Sequence, residues 1–291
     1  MNLQNILSEI EQKDPEVFDK LSDRRKAMKS FSNFAGKVAL ASIPFAFGSM
    51  FKKAYGQTPA DVISVLNFAL TLEYLESEFY KKGVAAPNLI PAGTPAVAAL
   101  NKISADETKH VAFLRSAITA AGGTPVSFTA TSFDFTAGNG TQAGPFIGVF
   151  DNYDLFLAVA QTFEDTGVRA YKGQAPNLMS NNDVLTAALN IHSVEARHAA
   201  HIRYMRRARQ AAMPGNALYV GDIKPWITLK MSNIGSPLVQ PSYDGEEITT
   251  QAGVNILNVG GQTFTPNAAS ESFDEPLTRQ QVEAIVDPFI I

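Results

Sequence analysis

Cysteine is absent from the 291-residue chain. That absence removes disulfide frameworks, thiolate zinc sites, iron–sulfur clusters and cysteine nucleophiles together, and it fits any redox compartment. Histidine is scarce as well. His110, His192, His198 and His201 are the whole supply, so imidazole chemistry must sit at one or more of those four positions. Charge is thin and of the wrong sign for nucleic acid. Charged residues make up 18% of the chain and the net charge is −4, against about 25% charged in an average protein, so there is no excess of Lys and Arg to neutralise phosphates. No nucleic-acid partner is expected. What is present is the material of a core: 45% apolar residues, with Gly and Pro at ordinary frequency.

Along the chain, residues 1–56 hold an acidic amphipathic stretch, then Arg24-Arg25-Lys26-Ala27-Met28-Lys29, then an uncharged run from Val38 to Phe51. The run is shorter than the ~20 residues of a membrane span but has the length of a secretory apolar segment. The basic cluster resembles a twin-arginine export signal, which implies a periplasmic or membrane-associated protein. An amphipathic helix packed on the domain, or a membrane-surface contact through residues 24–51 of a cytoplasmic protein, is the alternative.

From 57 to 215 the periodicity is helical. Val62, Leu66, Ala69, Glu73, Glu76 and Tyr80 recur at three- to four-residue spacing, an apolar stripe that turns acidic. Helices are expected over 59–82, 94–121, 153–173 and 180–212. The links are short except for the one of about 30 residues between the second and third, long enough to run the length of a four-helix bundle. Gly138-Asn139-Gly140 inside that link lacks the strand–Gly–helix setting of a phosphate loop. Residues 216–291 change character, with frequent Pro, Gly, Thr and Asn and alternating pieces such as Ile227–Met231. They read as an irregular, partly β tail wrapping the bundle, closed by a short helix behind the capping pattern Thr278-Arg-Gln-Gln281. The expected class is all-α with this tail appended.

An internal repeat carries the chemistry. Thr71-Leu72-Glu73 followed by Tyr80-Lys81 returns as Thr162-Phe163-Glu164 followed by Tyr171-Lys172, and Glu107-Thr-Lys-His110 returns as Glu195-Ala-Arg-His198. On a helix, residues three apart differ by about 60°, so each Glu-x-x-His pair points into one space. Two such pairs and the two remaining Glu residues bring four carboxylates and two imidazoles to the bundle axis. Ionised and unpaired, each buried carboxylate would cost several kcal/mol. Two divalent metals balance four negative charges, and mixed carboxylate and imidazole donors suit Fe or Mn.

One Glu from each of two helices plus Glu-x-x-His from each of the other two resembles the ligand set of the ferritin-like di-iron and di-manganese carboxylate proteins. The resemblance implies a ferritin-like four-helix bundle with a crossover between its helix pairs, holding two Fe ions, or Mn, per chain. Its ligands would be Glu73, Glu107, His110, Glu164, Glu195 and His198, with Glu107 and Glu195 as bridges. Tyr80 and Tyr171 resemble the tyrosines that stand behind such ligands and are the candidate catalytic side chains; Asp106 would orient a ligand histidine. The layout, with export-like head and tail, resembles bacterial ferritin-like proteins of the desiccation-related type. It implies ferroxidase or peroxide-removing chemistry on O2 or peroxide in stress protection, with a manganese catalase-like activity as a further enzymatic option. A structural stress protein whose site is empty or merely stabilising is the non-enzymatic alternative. A monomer or small homo-oligomer is expected rather than a storage cage. Glu76 competes with Glu73, but the repeat places Gly167 opposite it and so favours Glu73. His192 and His201 fall outside the repeated set, and Arg115 and Arg203 are expected to pair with acidic side chains at helix ends.

Overall fold

The computed structural model describes residues 59–291, and the export-like segment of residues 1–56 lies outside them. Four long helices dominate: α1 Pro59–Ala85, α2 Pro95–Ala120, α3 Tyr153–Gln174 and α4 Asn182–Ala212. Each lies within three residues of the expectation, and local chemistry accounts for the shifts. Asn181 accepts a hydrogen bond from the Val184 amide and so starts α4 at Asn182. Asn152 caps α3 in the same manner. Helix α1 continues past Lys82 through Gly83, where a Cβ would lie 2.3 Å from the Phe156 ring, so only glycine lets the two helices approach there.

Helix α1 packs on α2 and α3 on α4, with α1 also against α3 and α2 against α4. This is a square of four helices. The crossover, residues 121–152, holds one 3-10 turn at Ala130–Ser132. It is fastened from within. Phe79 of α1 stacks on Phe156 at 4.8 Å and meets Phe135 and Phe150 of the crossover at 5.6 and 5.4 Å, so the abundant phenylalanines are core and crossover packing. The Gly138-Asn139-Gly140 turn wraps Asp134, whose carboxylate accepts the amides of Thr136, Gly140 and Gln142.

The tail pairs with α3 and α4 instead of forming its own core. Short hairpins pair β1 Thr250–Gln251 with β2 Val254–Asn255 and β3 Asn258–Val259 with β4 Gln262–Thr263. Residues 227–231, whose alternation suggests a strand, form none; Ile227 and Thr228 are buried and Met231 exposed in a turn. Helix α5 Pro266–Ser270 follows, then α6 Arg279–Val286, which opens with the expected Thr278–Gln281 capping box. The chain end then returns to the crossover, where the Asp134 amide donates to Phe289 O at 2.8 Å.

Because the tail covers its outer face, α3 is buried on every side from Phe156 to Tyr171. At Gly173 a Cβ would stand 1.9 Å from the carbonyl oxygen of Leu277. A backbone atom cannot yield as a side chain does. Gly173→Ala is therefore expected to cost about 1–3 kcal/mol in urea unfolding, whereas Gly93→Ala, in open space at φ +73, should cost only its backbone strain of about 1 kcal/mol. Among the described residues no helix is long and apolar enough to cross a membrane.

Candidate metal centre

Midway along the bundle, Glu73, Glu107, Glu164 and Glu195 are fully buried, while His110 and His198 keep 9% and 6% of their surface. One long helix supplies Glu73, another Glu164, and the α2 and α4 copies of Glu-x-x-His supply the rest. His110 Nδ1 lies 3.1 Å from Glu73 Oε2, 3.2 Å from Glu107 Oε2 and 3.1 Å from Glu195 Oε1. His198 Nδ1 lies 2.8 Å from Glu107 Oε1, 3.5 Å from Glu164 Oε2 and 3.8 Å from Glu195 Oε2. Glu107 and Glu195 thus send one oxygen to each imidazole, while Glu73 serves only His110 and Glu164 only His198. Two four-residue groups result, Glu73, Glu107, His110, Glu195 and Glu107, Glu164, Glu195, His198, and each offers donor atoms within 4.8 Å of one another. They share the two residues expected to bridge.

The tyrosines complete the arrangement crosswise. Tyr80 of α1 donates to Glu164 Oε1 of α3 at 2.5 Å, and Tyr171 of α3 donates to Glu73 Oε1 of α1. Each Tyr lies seven residues after its own Glu, so the exchange requires α1 and α3 to run antiparallel. His198 Nε2 faces Asp106 Oδ2 at 3.6 Å, which puts Asp106 behind the imidazole.

Burial and crowding set the electrostatics. Burial, with the charge of Glu195 and Glu73 added, holds Glu107 well above the usual carboxylate range, and burial pushes Glu164 up to about 7. Glu195 goes the other way. Burial would raise it, but the imidazoles of His110 and His198 on either side hold it at about 2. Both imidazoles are raised: burial works against the proton, and the surrounding carboxylates, Glu73 for His110 and Glu164 for His198, outweigh it. Burial and the neighbouring carboxylates Glu164 and Glu73 raise Tyr80 and Tyr171 far enough to keep them donors.

The donor set fits a metal. Glu107 Oε1, Glu164 Oε2, both oxygens of Glu195 and His198 Nδ1 are buried without an aligned hydrogen bond, although they crowd together. Buried polar atoms without partners are rare in folded proteins. Five in one cluster, all of them acceptors or potential ligands, are what a cation would satisfy.

Glu76 is also here. It is 3% exposed and raised well above the usual range by burial and then by Glu195, Glu164, Glu107 and Glu73. A Cβ on Gly167 would stand 3.1 Å from Glu76 Oε1, so the repeat departs from symmetry where the small residue makes room for a fifth carboxyl group. His192 is half-buried and His201 exposed. Arg203 does find an acidic partner, but buried in mid-helix, as a fork to Asp165 at 2.5 and 3.1 Å. Arg115 departs from the expectation and donates to the Tyr74 hydroxyl at 2.5 Å. Tyr74 and Asp165 are equivalent in the repeat, so the cation's place is kept while its acceptor changes. That equivalence was readable in the sequence.

A family model described as a ferritin-like domain matches residues 61–208, half of the chain and all four long helices. No curated protein and no solved structure matches the chain.

Proposed function

The chain belongs to the ferritin-like family, and on that premise we propose that its buried cluster is a dinuclear iron or manganese centre acting on O2 or peroxide, in ferroxidase or peroxide-removing chemistry that protects against stress. The observation that carries this reading is the pair of donor groups sharing Glu107 and Glu195. Glu73 and Glu164 would be terminal ligands, and His110 and His198 would each bind through Nδ1. A bound metal pair supplies reversible electron transfer and Lewis acidity toward oxygen species.

The rest is the work of the chain. Tyr80 and Tyr171 hold one oxygen of Glu164 and Glu73, leaving the other free to turn toward the centre. Asp106 lies 3.6 Å from Nε2 of His198, on the side of the imidazole away from the cluster, where its charge favours a proton on Nε2 and leaves Nδ1 to face inward. Complete burial of the four carboxylates keeps bulk water away from them. Glu76, held well above the usual carboxylate range by burial and by the charge of the four neighbouring carboxylates, places a fifth carboxyl group beside the centre, next to Gly167.

Without metal, the Nδ1 atoms of both histidines hold protons among the carboxylates. Their raised affinity for the proton makes the stability they supply complete below about pH 6.5, the value of a free imidazole, and lost progressively as pH rises above it. Glu164 has the same sign up to about pH 7, because the unfolded chain ionises first. The metal-free protein is thus expected to melt at lower temperature at pH 8.5 than at pH 6, and metal affinity to rise over the same interval as protons are displaced. Thermal unfolding with and without metal, and proton release in calorimetry, read this directly. A metal-free melting temperature that climbs with pH would contradict it. Metal analysis followed by Fe(II) oxidation and peroxide decay assays tests the function itself. Two ions without turnover would leave a structural centre.

A further inference from the structure

The alignment that sets Glu73 on Glu164 and Glu107 on Glu195 extends outward along the helices, and there the two halves of the repeat cease to match in size. At one end of the bundle the core is packed with rings. Phe79 stacks on Phe156 and meets Phe163 edge-on at 5.1 Å, and Phe156 in turn meets Tyr80 at 6.1 Å. Leu100 and Met205 are buried in the same core. At the other end the matching positions hold Ala170 for Phe79, Val65 for Phe156, Leu72 for Phe163, Ala117 for Met205 and Ala188 for Leu100. Every exchange is to a smaller side chain.

The missing volume is not taken up by neighbours. A cavity of about 30 Å3 lies at that end between all four long helices, and these five smaller residues line it. It exceeds the roughly 10–15 Å3 that one water requires and falls well short of the ~150 Å3 that takes benzene. Water is a poor occupant, because it needs about two to four polar partners. Only Tyr171 and Gln174 among the lining residues carry polar side chains, and both are engaged. The Tyr171 hydroxyl donates to Glu73, and Gln174 Oε1 accepts from Asn177 at 3.1 Å. An occupant of the cavity therefore touches the ring whose hydroxyl holds Glu73. The counterpart ring, Tyr80, has Phe156 packed against it instead.

We propose that this cavity is a binding site for a small, uncharged, apolar ligand, an apolar gas or the short alkyl end of a larger molecule, lodged against Tyr171 on the Glu73 side of the centre. Interiors otherwise pack as densely as organic crystals, and here one half of the repeat shows which side chains would have filled the space. The inference does not rest on the centre holding metal.

Xenon is the probe, followed by methyl NMR of the full-length protein with and without metal. It is expected to shift the methyl resonances of Leu66 and Leu114, which line the cavity, and to saturate. Those of Leu157 and Ile202, the same positions in the other half, should stay where they are. Ala117→Met and Ala188→Leu copy into the cavity the side chains that the repeat carries at Met205 and Leu100. Each is expected to abolish the saturable shift, to keep native helicity and metal stoichiometry, and to melt no lower than the native protein, since filling a void adds contacts. A shift that is absent in the native protein, or that survives both substitutions in full, would overturn the inference. So would melting of both variants well below the native temperature, which would mean that the space is already closed. None of these results touches the metal centre, and fewer than two bound metals would count against the centre alone.

Discussion

Replacing Glu195 with alanine is expected to reduce bound metal from the two ions per chain proposed above to fewer than one. Its two oxygens face different imidazoles, Oε1 toward His110 at 3.1 Å and Oε2 toward His198 at 3.8 Å, so one substitution takes a donor from both groups. If the ~10–16 kcal/mol of a tight protein–metal site is spread over four ligands, each carries roughly 3 kcal/mol, more than a hundredfold in affinity. Glu73→Ala makes the contrasting case. Glu73 meets only His110, so that variant should lose one ion and keep the other. The metal-free fold will respond as well, because Glu195 is the ionised group between two imidazoles, and its loss leaves their protons with fewer acceptors. Elemental analysis of both variants, each checked for helicity and melting temperature, separates a shared ligand from a lost fold. Two ions retained by Glu195→Ala would rule out its bridging role.

The second large effect concerns the tail. Arg169 is 1% exposed on the outer face of α3. It pairs with Glu246 at 2.6 Å and donates to the carbonyls of Glu275, Ser242 and Asp244 at 2.8, 2.7 and 2.9 Å. Burial pushes Glu246 up to about 8 against the pull of Arg169, so the pair itself adds little net stability. Leaving either partner alone is what is costly. Arg169→Met is expected to lose about 3–5 kcal/mol, as single breaks of buried pairs do, and the double variant Arg169→Met/Glu246→Leu to recover a large part of it. Against a total of about 5–15 kcal/mol for a domain, the single loss is severe. Urea unfolding measures both. Hydrogen exchange should find the loss first in residues 237–277, which Arg169 ties to α3. A single variant within 1 kcal/mol of the native protein would mean that the tail is held by its other contacts, such as Arg206 to Leu218 O and Asn233 O.

These two expected effects divide the molecule along the line between what a one-dimensional pattern can carry and what it cannot. Helix positions were legible because an apolar stripe of period 3.6 and capping residues act locally, and the six buried Glu and His side chains were legible because the repeat marked the same positions twice. With no cysteine and four histidines, the chain left few other places for metal chemistry. The repeat also held the Arg115 and Arg203 equivalence, although its meaning depended on what stood opposite.

Contacts between distant segments were decided by packing. Spacing puts Tyr80 on the same face as Glu73, yet its hydroxyl serves Glu164, because side-chain direction across an antiparallel interface is not a property of one helix. Glu76 reads as the lesser partner of Glu73 until Gly167 is seen to leave space for it. The tail shows the limit most plainly: nothing local to Arg169 or Gly173 announces that the carbonyls of residues 242–277 will close over them. Periodicity is written along the chain, whereas the burial of a polar group is settled only when a remote segment arrives to satisfy it.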